Sequence, residues 1–247
     1  MTTPAKWTTR TLPHTDITVG PCAWRLPMLA GDDRDYVKAH PSLIVVDPAD
    51  DDALLGQAGQ ALEGLPVLLG VNEPAFARQL EGEIERRMAL LGRDRLDALV
   101  LYVDDPAEVK SGGMLQTMFS LRDRGVIGSL GLAHRDPRAA EWLAINTAVR
   151  LLGVNYGLED QSTGYRALPA AADYGMSAYS LDCPHDEGAV RFALAQSERV
   201  LAVLDRPIPA GLRPMTAEEA EAARNEYKQD NPPPQPLKRG LPPVVGC

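Results

Sequence analysis

Eight short apolar runs recur between Ile17 and Leu204, most of them separated by segments of helical period. They are Ile17–Trp24, Leu43–Asp47, Leu65–Val71, Ala98–Val103, Gly128–Ala133, Leu151–Tyr156, Met176–Ser180 and Val200–Leu204. Several are near-continuous in apolar residues, the pattern of strands buried on both faces. Parallel strands need a long crossover, normally a helix, so runs alternating with helices predict a parallel sheet. Eight such units in 247 residues fit a closed (β/α)8 TIM barrel, typically about 250 residues long.

The helical segments carry buried stripes. Phe76, Leu80, Ile84, Met88 and Leu91 recur at steps of three and four, which predicts one apolar helix face. Leu115, Met118, Phe119 and Leu121 do the same before Arg122–Gly125 ends their helix. Thr216 with Glu219 three residues on forms a capping box that opens the last helix. Residues 1–229 therefore read as one barrel. Residues 230–247 differ, because the prolines of DNPPPQPLKRGLPPVVGC exclude a helix. Leu237, Leu241, Val244 and Val245 give this tail apolar contacts. We expect it to strap the barrel or dock a protein partner.

Composition narrows the function. With 45% hydrophobic and 24% charged residues, the chain can bury a core without disulfides or metals. A net charge of −9 and 5% aromatics exclude a nucleic-acid partner, which needs basic patches and stacking surfaces. The first sixteen residues lack the apolar core of a signal peptide, and no apolar run approaches a membrane span. We therefore expect a soluble, cytoplasmic protein with no membrane partner. Cys22, Cys183 and Cys247 form no paired framework, so reduced thiols are expected.

Several fragments, taken in order, resemble the aldo-keto reductases. LGRDRLDALVLYVDDP followed by LRDRGVIGSLGLAHRDP is similar to the middle of that family, and the likeness runs from about Thr9 to Tyr227 through TLPHTDITVGPCAWRLP, LIVVDPADDDALLGQAGQAL, GVNYGLEDQ and YGMSAYSLDCP. The resemblance implies an aldo-keto-reductase-type barrel that reduces carbonyls with NADPH through a Tyr acid, a Lys–Asp pair and a His. Carried over by position, the Asp falls on Asp47, the Tyr on Asp52, the Lys near Val71 or Asn72, and the His on Tyr102. The Ser-Asn pair that holds the nicotinamide amide becomes Ala133-His134, and its Gln partner becomes Gly153. The stacking Tyr falls on Tyr156, and Tyr179-Ser180 is kept, but Asp182 stands beside the diphosphate position. The segment after the eighth run leads almost directly to the last helix, without the loop that binds the adenosine phosphate. Arg206 and Arg213 are its nearest substitutes. The chain resembles a divergent, shortened member lacking most of the catalytic tetrad.

Active sites of such barrels lie at the carboxyl ends of the strands. We expect Asp47, Tyr102 and His134 to be catalytic, with Trp24, Asp52, Asn72, Arg135 and Tyr156 contacting a small-molecule substrate. His134 and Arg135 are the expected donors to Asp47. Tyr156, Tyr179 and Ser180 would bind NADPH if it is used. Asp50, Asp51 and Asp52 read as a loop and helix start, where acid is favoured, rather than as a metal site. The expected function is small-molecule binding, an accessory role or cofactor-independent chemistry, with no cofactor. An NADPH-dependent carbonyl oxidoreductase with rearranged residues is the alternative, and a cofactor-free lyase or isomerase using His134 is a second.

Overall fold

The computed structural model describes residues 9–13, 15–111, 113–158 and 161–230. Of the expected tail, residues 230–247, Asp230 ends the last helix, and the rest, Cys247 included, lies outside the described residues. In chain order the elements are β1 (Arg10–Thr11), β2 (Thr18–Val19), β3 (Cys22–Arg25), α1 (Pro27–Ala30), α2 (Arg34–Ala39), β4 (Ile44–Val46), α3 (Asp52–Gly59), β5 (Val67–Asn72), α4 (Ala77–Leu90), β6 (Leu96–Tyr102), α5 (Pro106–Ser111) and α6 (Met114–Asp123). Then come β7 (Ile127–His134), α7 (Pro137–Asn146), β8 (Leu151–Val154), α8 (Ser162–Tyr165), α9 (Ala167–Asp173), β9 (Ser177–Ser180), α10 (Glu187–Ala195), β10 (Val200–Leu204) and α11 (Ala217–Asp230).

Strands β3 to β10 close into a parallel barrel in sequence order, β10 pairing back onto β3. Successive side chains in a strand point to opposite faces, and the buried residues divide accordingly. Ala23, Val45, Leu68, Ala98, Val100, Ala133, Leu151, Tyr179, Leu201 and Val203 pack together inside the barrel. Cys22, Trp24, Ile44, Val46, Leu69, Leu99, Leu101, Leu152 and Val154 pack outward against the helices. The first expected strand divides in two. Its front half pairs antiparallel with β1 as a hairpin, and only Cys22–Arg25 enters the barrel. Leu12 and Val19 of that hairpin join the interior cluster, and Thr15 lies against Gly128 at the amino end of β7. The hairpin thus stoppers the amino-terminal end and leaves the carboxyl end as the open mouth.

The α4 stripe is buried at Leu80, Ile84 and Met88, with Leu91 just after the helix. Phe76 is an exception, 57% exposed at the N-cap position before the first turn. The capping box forms as the spacing predicts: Thr216 Oγ1 accepts from Glu219 N at 3.1 Å and Glu219 accepts from Thr216 N at 2.7 Å.

Arg87 lies on α4 but is only 3% exposed. Its guanidinium donates to the carbonyls of Asp47, Pro48, Asp50 and Gly70. One side chain therefore fixes the β4–α3 loop against β5. Burial lowers the Arg87 pKa, while Glu83 and Asp50 favour its charge. Replacing Arg87 by Met would leave four carbonyls without their donor. Arg87→Met should lose roughly 2–4 kcal/mol of stability in urea unfolding. Arg124→Met, on an exposed ion pair with Glu81, should change it by under about 0.5 kcal/mol.

Candidate functional site

The inward face of the barrel mouth is built from strand-end residues of matching parity. Arg25 ends β3 two positions after the inward Ala23, and Asp47 follows β4 two positions after the inward Val45. Asn72, Tyr102, Ala133, Gly153 and Tyr179 are direct register partners across β5, β6, β7, β8 and β9. They form one continuous row.

Asp47 has a cation, but not the expected one. Arg25 Nη1 donates to Asp47 Oδ2 at 2.7 Å, and both side chains are under one-fifth exposed. Arg25 also lies 3.9 Å from Asp50. The other Asp47 oxygen accepts from Ala49 N at 2.9 Å. The expected donors turn elsewhere. Arg135 pairs with Asp182 at 2.7 Å and reaches Asn155 at 3.4 Å. His134 follows Ala133 and so falls on the opposite parity. Its Nδ1 accepts from Asp136 N at 2.9 Å, a bond that requires the neutral ring. Asp136 in turn caps α7 through Arg138 N and Ala139 N.

Tyr102 is the central hydroxyl. Its ring passes over Gly70, where a Cβ would stand 3.0 Å from Tyr102 Cε2 and 2.8 Å from Pro48 Cδ. Any larger residue there would push the ring off its line. Burial and then the negative charge of Asp47 push the Tyr102 pKa up to about 12, while Tyr179, Arg25 and Arg135 pull it down. Tyr102 therefore stays a neutral hydroxyl at ordinary pH. Cys183, packed beside the interior cluster, is pushed up to about 11, chiefly by burial. It too stays protonated.

The remaining site residues divide between three places. Trp24 points outward, its indole donating to His40 O at 2.8 Å and its ring edge-on to Tyr36, so it belongs to the helix layer and not to the rim. Asp52 begins α3 and pairs with Arg86 of α4, away from the inward row. The Asp run does not converge, since Asp50 accepts from Asp47 N and Asp51 caps α3 through Leu54 N. Burial raises the Asp50 pKa, partly offset by Asp47 N and Arg25. Tyr156 is buried outward, its hydroxyl 3.3 Å from Gln196 Oε1. With Ser180, Asp182, Cys183 and His185 it lines a side cavity of about 130 Å³ between the β8 and β9 ends and α10. Ser180 Oγ donates to Asp182 O at 2.8 Å. Two arginines stand at the lip of this cavity. Arg135 holds Asp182, and Arg206 donates to His185 O at 3.2 Å while pairing with Asp205.

Sequence reasoning missed Arg25 as a site residue. The signal was present, because Ala23 and Arg25 share parity on a strand whose register with β4 brings Arg25 opposite Val45.

No family model and no curated protein matches the sequence. Solved structures do match the fold. A holo-form aldo-keto reductase of Bacillus halodurans superposes with a TM-score of 0.72 at 15% identity, covering 90% of this chain and 96% of that one. A glycerol dehydrogenase of Gluconobacter oxydans gives 0.70 at 14%, covering 94% and 98%. An aldo-keto reductase of Klebsiella pneumoniae in complex with NADPH gives 0.66 at 17%, also covering 94% and 98%. The chain has the aldo-keto reductase fold. An aldo/keto reductase of Klebsiella pneumoniae has also been solved with NADP and acetate. These nucleotide complexes overturn the expectation that no cofactor is involved.

That expectation rested on missing side chains and on the short segment after the eighth run, and it counted Arg206 but not Arg135 as a phosphate-side cation. Exposed ion pairs such as Arg135–Asp182 and Arg206–Asp205 are weak, so both arginines can exchange a carboxylate for a phosphate. The fit is poorer at the carboxamide. A Cβ at Gly153 would meet Ala133 Cβ at 2.7 Å, Leu181 Cδ2 at 2.8 Å and Tyr179 Oη at 2.8 Å, so no longer side chain fits there.

The buried tyrosine sets an alkaline limit. The Tyr102 pKa is raised from 10.0 to about 12, so above pH 10 the unfolded chain releases this proton first. Its contribution is complete below pH 10 and is lost as pH rises toward 12. Urea unfolding between about pH 9 and 11.5 should show wild type losing roughly 2 kcal/mol more than Tyr102→Phe. Equal slopes for the two proteins would remove Tyr102 as the cause.

Proposed function

We propose that this chain is a nicotinamide-nucleotide-dependent carbonyl oxidoreductase with rearranged catalytic residues. The observation that carries the reading is the neutral Tyr102 hydroxyl set within electrostatic reach of the Arg25–Asp47 ion pair. In this reading Tyr102 donates a hydrogen bond to the substrate oxygen. Arg25 is the nearest fixed cation to charge developing there, and Asp47 holds Arg25 in place. Such preorganised donors stabilise developing negative charge without moving during the reaction. The nucleotide, when bound, supplies the reducing equivalents. Arg135 and Arg206 would hold its phosphates at the lip of the side cavity, and Tyr156 and Ser180 would line its path.

A second reading has one observation in its favour. A tyrosine whose pKa is pushed up to about 12 is a weak general acid at neutral pH, since acid catalysis works best with a pKa near the working pH. On that view the mouth binds a small molecule in an accessory role without turning it over. Cofactor-free lyase or isomerase chemistry at His134 has no such support, because its Nδ1 is engaged by Asp136 N.

Isothermal titration with NADPH, followed by its oxidation against a panel of small aldehydes, separates the two readings. We expect saturable binding that weakens several-fold in Arg135→Met and Arg206→Met, and turnover that falls about 10²-fold or more in Tyr102→Phe. Binding without turnover across the panel would favour the accessory reading. Heat signals that never saturate would sink the oxidoreductase.

A further inference from the structure

The row at the barrel mouth has a distinctive order of sizes: Tyr102, Ala133, Gly153, Tyr179 on four adjacent strands in direct register. Two large residues therefore flank two small ones on the same inward face. The small pair leaves space for the end of the Tyr179 ring. Tyr179 Oη sits where a Gly153 side chain would begin, 2.8 Å from its Cβ position. The rest of that surrounding is apolar, with Leu181, Ala133 and Leu151 in the same cluster.

Tyr179 is 2% exposed, and its hydroxyl has no hydrogen bond of full geometry among the described residues. A buried hydroxyl left without a partner is costly, and such a group in a site signals a role. The other hydroxyl of the row is that of Tyr102, which packs against the same interior cluster, and the two groups perturb each other's titration. Burial and then the Tyr102 charge hold the Tyr179 pKa well above 10, so Tyr179 keeps a proton to donate.

We infer that Tyr179 is a positioning residue whose hydroxyl donates to the Tyr102 oxygen, leaving the Tyr102 proton directed out of the mouth at a ligand oxygen. The pair is then a two-hydroxyl donor site for the oxygen of a carbonyl or enolate compound. A donor bonded to a second donor polarises it and strengthens the outer bond. The arrangement occupies the floor where the resemblance implies carboxamide-holding side chains, with Ala133 and Gly153 in their place. Its role toward a carbonyl rests on the oxidoreductase reading above, but the hydrogen bond between the tyrosines does not.

The experiment uses the full chain with tyrosine labelled with 13C at Cζ, read by NMR near neutral pH. Seven tyrosines give few signals, and Tyr102→Phe identifies that of Tyr102. We expect Tyr179→Phe to fold, since the ring and its packing are kept, and to move the Tyr102 resonance while distant tyrosines stay in place. An unmoved Tyr102 resonance would overturn the inference. If Tyr179→Phe does not fold, 3-fluorotyrosine at 179, a stronger donor of nearly the same shape, must move the Tyr102 signal, and its failure to do so is equally fatal. With NADPH and 4-nitrobenzaldehyde as the probe, kcat should drop about tenfold in Tyr179→Phe with KM within about twofold. Unchanged kcat in an active enzyme would overturn the positioning role. A wild-type protein that does not consume the probe would count against the oxidoreductase alone, and the NMR result would still decide the tyrosine pair.

Discussion

A closed parallel barrel buries both faces of every strand, and from that constraint the rest of the molecule follows. Each side chain must commit either to the axis or to the helix layer, and the choice alternates along the strand. Deep in the barrel the inward positions are small or aliphatic, as with Ala23, Val45, Ala98 and Val100. A charge on that face would be stranded there. Only the last inward position of a strand reaches water, and there the chain places Arg25, Asp47, Asn72 and Tyr102. The hairpin of β1 and β2 closes the opposite end, so the barrel has one working face.

Charge at that face is balanced by short, specific contacts. Arg25 neutralises Asp47, and Arg87 crosses from the helix layer to hold the carbonyls of the loop that carries Asp47. The loop's position is thereby set by α4 and not by its own sequence. Tyr102 sits close to both signs of charge, and burial decides the outcome by keeping it protonated. Beside the mouth lies the cavity under Tyr156, and the arginines next to it, Arg135 and Arg206, pair with exposed carboxylates. A neutral donor at the axis and exchangeable cations at the side suit two ligands of different charge.

Much of the fold was legible because hydrophobic period is a local property. The runs at Leu43–Asp47, Ala98–Val103 and Val200–Leu204 needed no partner to be recognised, and Thr216 with Glu219 carries its own capping geometry. The candidate site was legible only in part. Asp47 and Tyr102 stand at strand ends and are inward, as expected. Trp24 and His134 also stand at strand ends, yet each lies one residue out of phase with the inward face, and position at a strand end was a coarser guide than parity. Phe76 fitted a helical stripe by spacing but precedes the first turn, where no neighbouring helix covers it.

By itself the sequence determined the number and order of the barrel strands, their parallel pairing and most of the core, because these depend on residues near one another in the chain. Through the resemblance alone it set Val71 or Asn72 and Tyr102 against that family's lysine and histidine. Only the tertiary structure decided that Arg25 reaches Asp47 from 22 residues away, that Arg135 and Arg206 each hold a residue lining one cavity, and that Tyr102 and Tyr179 share one inward row with Ala133 and Gly153 between them. Those juxtapositions depend on barrel register, which is fixed by strand pairing and packing around the whole closed sheet. No local stretch of the chain contains it.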